Sequence, residues 1–329
     1  MTDTIRWGVL GAGRIATTFC DDLALLDDHA LVAAGSRRPG GADEFAARFS
    51  VPNVHGSWES LVADPEVDVV YVATPHPAHH AAALLALQAG KHVLVEKPFA
   101  MDAHQARELV AAAKANDVFL MEAMWTRFLP AIVALREVVD EGRLGELVAV
   151  HADFGVGFAE DPEGRWFNPA LGGGALLDLG IYPVSFASML LGTPTHVLAA
   201  SDPAFTGVDG HTSAILRDGT GRHALVSTTM FANTETRAVV VGRDARIEVD
   251  RQFFCTRGFT LFYSDDTPER VERPFEGNGM RFEAAEVGRC IREGLRESPV
   301  MPLHETVSIM ETLDEIRRQI GLVYPTPSA

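Results

Sequence analysis

The sequence predicts an α/β protein with two domains, a doubly wound parallel sheet followed by a larger, mostly antiparallel sheet. In residues 1–123, short apolar runs alternate with helical patterns, as in parallel βαβ units. Residues 5–16 read as a strand, a glycine-rich turn and the start of a helix. In residues 124–329, runs of alternating apolar and polar residues are separated by turn residues, as in antiparallel hairpins. These patterns predict a Rossmann domain over 1–123 and an α+β domain over 124–329.

Composition narrows the class of protein. The chain has 329 residues, 47% of them apolar and 22% charged, which suits a soluble globular protein with two cores. A net charge of −17 argues against nucleic acid or an anionic membrane as partner. The 3 cysteines form no C-x-x-C pair, and residues 1–4 carry no basic leader. We therefore expect reduced thiols, a cytoplasmic location and no membrane-spanning segment.

The periodicity also predicts the individual elements. In the first domain it predicts strands over 5–10, 30–35, 54–55, 67–73, 91–96 and 118–123, and helices over 14–26, 41–49, 58–63, 77–89 and 102–116. In the second it predicts helices over 130–141, 280–297 and 305–320, and strands over 146–154, 195–200, 211–216, 222–231, 237–241, 246–250 and 259–263. A further helix begins at Ala175 and is expected to kink at Pro183.

The turn after the first strand reads Gly11-Ala12-Gly13-Arg14-Ile15-Ala16, a G-x-G-x-x-A pattern. Gly11 permits a tight turn, and Gly13 lets a pyrophosphate approach the backbone. The N-terminus of the following helix supplies free N–H groups and positive potential. The motif predicts dinucleotide binding, with Gly11, Gly13, Arg14 and Ile15 as contacts.

The end of the second strand bears on the choice between NADP and NAD. Enzymes that use NAD carry a carboxylate there for the ribose 2′-hydroxyl, whereas this chain has Ser36-Arg37-Arg38. A hydroxyl and two guanidinium groups suit a 2′-phosphate. We expect NADP, with NAD as the alternative cofactor; the competing interpretation is two surface arginines on an acidic protein.

Two further strand ends carry candidate residues. His92–Pro98 reads as a buried strand that runs into Glu96-Lys97-Pro98, where Pro98 holds Lys97 at a defined place. The alternative is a surface lysine paired with Glu96. After the fourth strand, residues 74–80 contain three histidines, but no nearby carboxylate or thiolate completes a metal site. No metal is predicted, and the two loops are expected to contact the cofactor through Thr74, Pro75, His76, His79, Glu96 and Lys97.

The segment 171–183 places two proton-handling groups on one apolar helix. Asp178 and Tyr182 are four residues apart and therefore share a helix face. For the helix alone, a capping aspartate and a core tyrosine are the simpler interpretation.

Taken together, these residues resemble the glucose–fructose oxidoreductase, inositol dehydrogenase and rhizopine-catabolism (Gfo/Idh/MocA) family over essentially the whole chain. The matching motifs are Gly11–Ala16, Glu96-Lys97-Pro98, and Asp178 followed four residues later by a proton-transfer residue. Much of the family has histidine at that last position, and Tyr182 here resembles the branch with dimeric dihydrodiol dehydrogenases and NADP-dependent D-xylose 1-dehydrogenases. Residues 122–128, 172–182 and 277–299 are similar to the same branch.

The resemblance implies an enzyme that transfers a hydride between a carbinol carbon and the nicotinamide, with Lys97, Asp178 and Tyr182 as catalytic residues. A free tyrosine, with a pKa of about 10, is a poor base near neutrality, so we expect Lys97 and the oxidised nicotinamide to favour its phenolate. Asp178 is expected to orient Lys97 or the substrate hydroxyls. The competing function is a non-catalytic NADP-binding regulator, which needs none of these groups. The resemblance also implies a homodimer through the second sheet.

The substrate pocket is expected to combine aromatic walls with polar groups, namely Trp125, Phe154, Trp166 and Phe275 with Arg127 and Arg165. Aromatic walls suit a cyclic trans-dihydrodiol and also stack on the apolar face of a pyranose. Because Asp178, Tyr182 and the two arginines exceed what a diol on a hydrocarbon ring requires, we favour an aldose such as D-xylose, oxidised at C1. The alternative is a trans-dihydrodiol dehydrogenase or dicarbonyl reductase.

Overall fold

A computed structural model describes residues 4–265 and 267–325. The chain divides into two compact units. The first unit contains the residues up to Trp125 together with Glu276–Val307, and the second contains Thr126–Phe275 together with the residues from Ser308 onward. Residues 276–307 thus pack with the first unit, whereas the sequence pattern assigned them to the second domain.

The elements follow the predicted order. The strands are β1 (Ile5–Leu10), β2 (His29–Gly35), β3 (Asn53–His55), β4 (Val69–Val72), β5 (His92–Glu96), β6 (Leu120–Ala123), β7 (Leu147–Gly155), β8 (His196–Pro203), β9 (Asp209–Arg217), β10 (His223–Thr229), β11 (Ala238–Gly242), β12 (Ala245–Val249), β13 (Gly258–Tyr263) and β14 (Pro268–Glu272). The helices are α1 (Arg14–Leu23), α2 (Gly41–Phe49), α3 (Trp58–Val62), α4 (His79–Gln88), α5 (Ala103–Ala115), α6 (Pro130–Asp140), α7 (Ile181–Leu191), α8 (Arg281–Arg292) and α9 (Leu303–Ile320).

The first unit contains a parallel sheet in the order β3-β2-β1-β4-β5-β6. Every residue of β4 is buried, as expected for a strand covered on both faces. The strand order reverses between β1 and β4, because the chain adds β2 and β3 on one side of β1 and β4 to β6 on the other. Parallel sheets of this kind bind ligands beyond the carboxyl ends of the strands at this switch point. The predicted doubly wound parallel sheet is confirmed.

Asp22 explains why the segment after residue 276 packs in the first unit. This aspartate of α1 is 1% exposed, and its carboxylate accepts the backbone N–H groups of Asn278, Gly279 and Met280 at 2.6–2.7 Å. It therefore caps the start of α8 with charge-assisted hydrogen bonds. Gly277 lies against it with φ of +78°, where a Cβ would be 2.5 Å from Asp22 Oδ1.

The second unit contains an eight-stranded sheet in the order β14-β13-β12-β11-β7-β10-β9-β8. Its pairs are antiparallel except β7 with β10, which confirms the predicted mostly antiparallel sheet. In β9 the side chains alternate between buried and exposed, so that one face packs inward. Sequence reasoning missed β14, because three of its five residues are charged and none is buried on this edge of the sheet.

The helix predicted from Ala175 differs in one detail. Leu176–Gly180 forms a π-helical turn, and regular α-helix begins with α7. The kink was expected at Pro183. Because Pro183 has no N–H for the Leu179 carbonyl, the distortion lies in the turn that precedes the proline. The stretch Pro169–Leu191 has the length and mean hydropathy (1.5) of a membrane span, but 89% of its most apolar window is buried, as in a core helix.

Candidate active site

The glycine-rich turn after β1 lies in close contact with the end of β4. Gly11 has φ of +103°, and a Cβ at this position would be 2.5 Å from the Ala73 carbonyl oxygen that follows β4. Only glycine fits both the backbone angle and this distance without strain. The turn therefore brings the ends of β1 and β4 together, as the motif predicts.

The start of α1 leaves room for a negatively charged ligand. Gly13 is the N-cap residue without a side-chain capping bond, and a Cβ built on it would meet no atom within 4 Å. Arg14 is exposed and Ile15 is half-buried in the first helical turn, which contains no acidic residue. Free N–H groups and open space at a helix N-terminus fit the pyrophosphate of a dinucleotide.

The residues at the end of β2 form a cationic group. The Arg37 guanidinium carbon lies 3.9 Å from the centroid of the Trp58 ring, a cation–π contact. Within residues 4–265 and 267–325, Arg37 has no carboxylate partner within 4.0 Å. Arg38 pairs with Glu44 at 2.6 Å, and its backbone N–H donates to Ser36 Oγ at 3.1 Å. Sequence reasoning missed Trp58, which holds the Arg37 side chain in place.

The loop after β4 contributes a polar atom that the protein does not use. Thr74 is buried, and in the described chain its Oγ1 has no hydrogen-bond partner. Pro75 next to it is exposed, and His76 is buried with its ring edge-on to His79 at 5.6 Å. An unused buried hydroxyl beside the Gly11 turn fits a nicotinamide dinucleotide, which Gly11, Gly13, Thr74 and the arginines after β2 would hold.

The surroundings of His79 favour a structural role, whereas we predicted a cofactor contact. The side chain is 1% exposed, with Nδ1 2.8 Å from the Pro98 carbonyl and Nε2 2.8 Å from the Thr74 carbonyl. Burial lowers the pKa of His79 to about 3, so the ring is neutral and donates to one of the two carbonyls at a time. His79 links the loops after β4 and β5. No group of three or more histidine, cysteine or acidic side chains in the described residues could hold a metal ion.

Glu96 is also directed into the protein. It is 4% exposed and accepts hydrogen bonds from the Tyr71 hydroxyl and, at 3.2 Å, from the Lys97 backbone N–H. Glu283 of α8 is fully buried nearby, and burial, followed by the charge of Glu96, raises its pKa well above the usual range. These buried acids favour a structural role for Glu96, whereas we predicted a cofactor contact. Lys97 follows directly and is half-buried.

In the second unit, Asp178 belongs to an ion pair. Arg165 Nη2 lies 2.8 Å from Asp178 Oδ1, and Asp178 is 5% exposed while the Arg165 side chain is 53% exposed. The guanidinium also lies 4.4 Å from the Trp166 ring, which stacks on Phe158 at 4.1 Å. The structure thus brings the predicted residues Arg165, Trp166 and Asp178 together, and adds Phe158.

Tyr182 lies in an aromatic environment. It is 7% exposed, and its ring centroid is 5.5 Å from Phe154 and 5.4 Å from Phe254, which stack on each other at 4.5 Å. Thr126 Oγ1 donates to the Phe254 carbonyl at 2.7 Å and holds that residue in place. Phe254 lies in a short turn between β12 and β13, which carries no periodic signal in the sequence.

The other predicted substrate residues have different surroundings. Arg127 is 2% exposed and donates to Ser185 Oγ at 3.1 Å and to the Ser185 carbonyl at 2.9 Å, which favours a structural role over substrate binding. Phe275 is half-buried with the Arg257 guanidinium 4.7 Å above its ring. Trp125 is 9% exposed and belongs to the first unit.

A buried carboxyl group supports the turn that carries Asp178. Asp209 accepts the Leu176 N–H at 2.7 Å and the Thr212 hydroxyl at 2.9 Å. Burial raises the pKa of Asp209 to about 7, although these hydrogen bonds and the charge of Arg317 act in the opposite direction. Asp178 and Tyr182 remain on one face of the helical segment, because four residues make close to one turn in either helix type.

Two family models match the chain. The oxidoreductase family with an NAD-binding Rossmann fold covers residues 5–124, and the GFO/IDH/MocA C-terminal domain covers residues 132–248. The chain therefore belongs to the Gfo/Idh/MocA oxidoreductase family.

Individual proteins are similar over nearly the whole length. A trans-1,2-dihydrobenzene-1,2-diol dehydrogenase from Mus musculus is 40% identical, with 98% of each chain covered. An aldose-aldose oxidoreductase from Caulobacter crescentus, solved with glycerol, is 25% identical with a TM-score of 0.88, covering 96% of this chain and 97% of that one. A 3-ketoreductase from Actinomadura kijaniata, solved with NADP and TDP-benzene, is 26% identical with a TM-score of 0.86 over 97% and 98%.

The Asp209 carboxyl group predicts a pH dependence of stability. Its pKa is about 7 in the folded protein, against 3.8 ordinarily, so between pH 4 and pH 7 the folded chain keeps a proton that the unfolded chain has lost. Stability from this group therefore falls as the pH rises, by up to about 1.4 kcal/mol per pH unit. In Asp209→Asn this loss is absent, so its melting temperature relative to the wild type should rise from pH 4 to pH 7.

Asp218→Asn is the matched control. Burial opposes ionisation of Asp218, but hydrogen bonds from Arg222 and Thr220 outweigh it and hold its pKa well below the usual range. Asp218 is ionised in both states above about pH 5, so its replacement should leave the slope between pH 5 and pH 7 unchanged. Equal slopes for Asp209→Asn and the wild type would contradict the assignment.

Proposed function

We propose that this protein is an NADP-dependent dehydrogenase that oxidises a ring hydroxyl next to a second hydroxyl, as found in an aldopyranose. The observation that carries the proposal is the ion pair between Arg165 and Asp178, because Asp178 lies on the same helical segment as Tyr182. Membership of an oxidoreductase family with an NAD-binding Rossmann domain supports hydride transfer as the reaction. A regulator that only senses the cofactor has no need of this arrangement.

The residues have distinct proposed roles. A bound nicotinamide would supply the hydride acceptor for the carbinol carbon, and Gly11, Gly13 and Thr74 would hold the dinucleotide. As the phenolate, Tyr182 takes the proton of the reacting hydroxyl and becomes the neutral phenol, and the rings of Phe154 and Phe254 restrict its position. The Asp178 carboxylate, fixed by Arg165, accepts a hydrogen bond from the neighbouring substrate hydroxyl. Lys97 is assigned to the same reaction because it stands in the Glu96-Lys97-Pro98 motif, which resembles the motif of the family.

The substrate class has a second candidate. An aldose is favoured by the exposed charge of Arg165, and an aldose-aldose oxidoreductase is among the structural relatives. A trans-dihydrodiol is favoured by the 40% identical dehydrogenase and by the burial of Arg127, which removes one of the two expected polar groups. Both compounds present neighbouring hydroxyls on a six-membered ring, and the Trp166–Phe158 stack offers an apolar face to either.

A homodimer through the outer face of the second sheet is also proposed. Leu198, Ile215 and Leu225 lie side by side on neighbouring strands with 65%, 38% and 44% of their surface exposed. They line a concavity of about 680 Å³ on that face. Contiguous exposed apolar surface of this kind is typical of protein–protein interfaces.

The reaction is tested with Tyr182→Phe. This change keeps the ring packing and removes the proton-transfer group, so cofactor binding should survive while turnover falls by roughly 10²–10⁴. NADPH formation is followed with D-xylose, other aldoses and the trans-dihydrodiol of benzene. Lys97→Met should lower turnover at least as much.

Three outcomes would contradict parts of this proposal. Near-normal turnover by Tyr182→Phe would assign the proton to another group. Far higher kcat/KM for the dihydrodiol than for any aldose would replace the aldose by the second candidate. Cofactor binding by the wild type without turnover of any compound would favour the regulator.

The NADP preference is tested with Arg37→Ala. If Arg37 contacts the 2′-phosphate, NADP affinity should fall by about 1.5–3 kcal/mol, the scale of a hydrogen bond to a charged group. NAD affinity should stay nearly the same, as measured by fluorescence titration of both reduced cofactors. Arg48→Ala is the control, because this arginine of α2 pairs with Asp21 at 3.0 Å. Equal losses for both cofactors would contradict the 2′-phosphate assignment.

The dimer is tested with Leu225→Glu. A charge buried without a partner is costly, so this variant should sediment as a monomer where the wild type is dimeric at micromolar concentration. Leu295→Glu introduces the same charge at a leucine that is 37% exposed in the first unit, and it should remain dimeric. A monomeric wild type would rule out the proposal.

A further inference from the structure

Tyr324 contacts the turn formed by Gly172, Gly173 and Gly174, called the glycine turn here. This turn precedes residues 176–182, the catalytic segment that carries Asp178 and Tyr182. It follows α9 near the end of the described chain, and its hydroxyl donates to the Gly173 carbonyl at 2.7 Å. The Arg317 guanidinium lies 5.5 Å from its ring centroid. A tyrosine from the last part of the chain thus contacts the turn between Arg165 and Asp178.

The same turn is tied to the loop that carries Arg165. The Gly173 N–H donates to the Asn168 carbonyl at 3.0 Å, and the Gly174 N–H donates to the Trp166 carbonyl at 2.9 Å. A Cβ on Gly173 would lie 2.7 Å from the Trp166 carbonyl oxygen, so the two segments are in close contact. Movement of this turn would therefore also move Arg165 and Trp166.

On its other side the turn leads into the π-helical segment with Asp178. Gly174 has φ of +119°, and a side chain there would collide with the Asp209 carboxylate. That carboxylate accepts the N–H of Leu176, two residues further on. The turn is thus held at the Gly173 carbonyl by Tyr324 and at the Leu176 N–H by Asp209.

We propose that Tyr324 is a positioning residue, whose hydroxyl fixes the glycine turn and thereby the Arg165–Asp178 pair and the segment that carries Tyr182. The proposal rests on the proposed function in so far as Asp178 and Tyr182 carry the reaction. Without the hydroxyl, the Gly173 carbonyl loses a hydrogen bond, and the turn opens more often. Small displacements of catalytic groups lower turnover more than they weaken cofactor binding.

The test compares Tyr324→Phe with Tyr263→Phe. Tyr263 also donates from its hydroxyl, to Glu269 at 2.8 Å, but on the β13–β14 hairpin away from the catalytic segment. Hydrogen–deuterium exchange is measured on peptides that cover residues 173–180, and kcat and KM are measured with the most active compound of the panel. In Tyr324→Phe we expect about tenfold faster exchange and about tenfold lower kcat, with unchanged NADP affinity. Tyr263→Phe should match the wild type in both measurements.

Each result decides the matter. Unchanged exchange over residues 173–180 in Tyr324→Phe would overturn the proposal, since the turn would then be held without the hydroxyl. Faster exchange with normal kcat, in an enzyme that Tyr182→Phe inactivates, would overturn it as well. If Tyr182→Phe remains active, the proton role fails independently, and the exchange measurement alone decides whether Tyr324 holds the turn.

Discussion

The contact between the Gly11 backbone and the Ala73 carbonyl is the constraint on which the first unit depends. A parallel sheet can bind a dinucleotide at its switch point only if the loops after β1 and β4 approach each other. Any side chain at position 11 would push these loops apart, since its Cβ would be 2.5 Å from a carbonyl oxygen. The groups proposed to hold the dinucleotide follow the same strand ends. They are the uncapped start of α1 after β1, the Thr74 hydroxyl after β4 and the arginines after β2.

A similar constraint operates in the second unit. Gly174 lets the Asp209 carboxylate lie against the backbone, where it accepts the Leu176 N–H at the start of the π-helical turn. In both units a glycine at positive φ removes a Cβ at the point where a polar oxygen must come close. The difference is that Asp209 is itself titratable, and its pKa of about 7 couples the fold to pH in a way that a carbonyl oxygen cannot.

Much of the fold could be predicted from the sequence, because the signals are local. The predicted ranges 5–10 and 41–49 match β1 and α2, because their apolar pattern and the glycines at their ends can be read from a short stretch of sequence. Helix α8 ends at Arg292, whereas the prediction extended to 297, because the helical pattern continues past Gly294 at φ of +72°. The edge strand β14 has no buried face, and therefore no pattern to detect.

In the candidate site, too, local signals could be predicted from the sequence, and properties of the folded chain could not. Lys97, Asp178 and Tyr182 could be selected because they stand in short motifs whose backbone requirements are local. Burial is a property of the whole unit, which is why His79 and Arg127 were assigned contacts that their surroundings do not favour. Phe254 contacts Tyr182 from 72 residues away in sequence, and Tyr324 reaches Gly173 from 151 residues away. Candidates for the chemistry can therefore be selected from the sequence, whereas the distant residues that contact them emerge only from the folded chain.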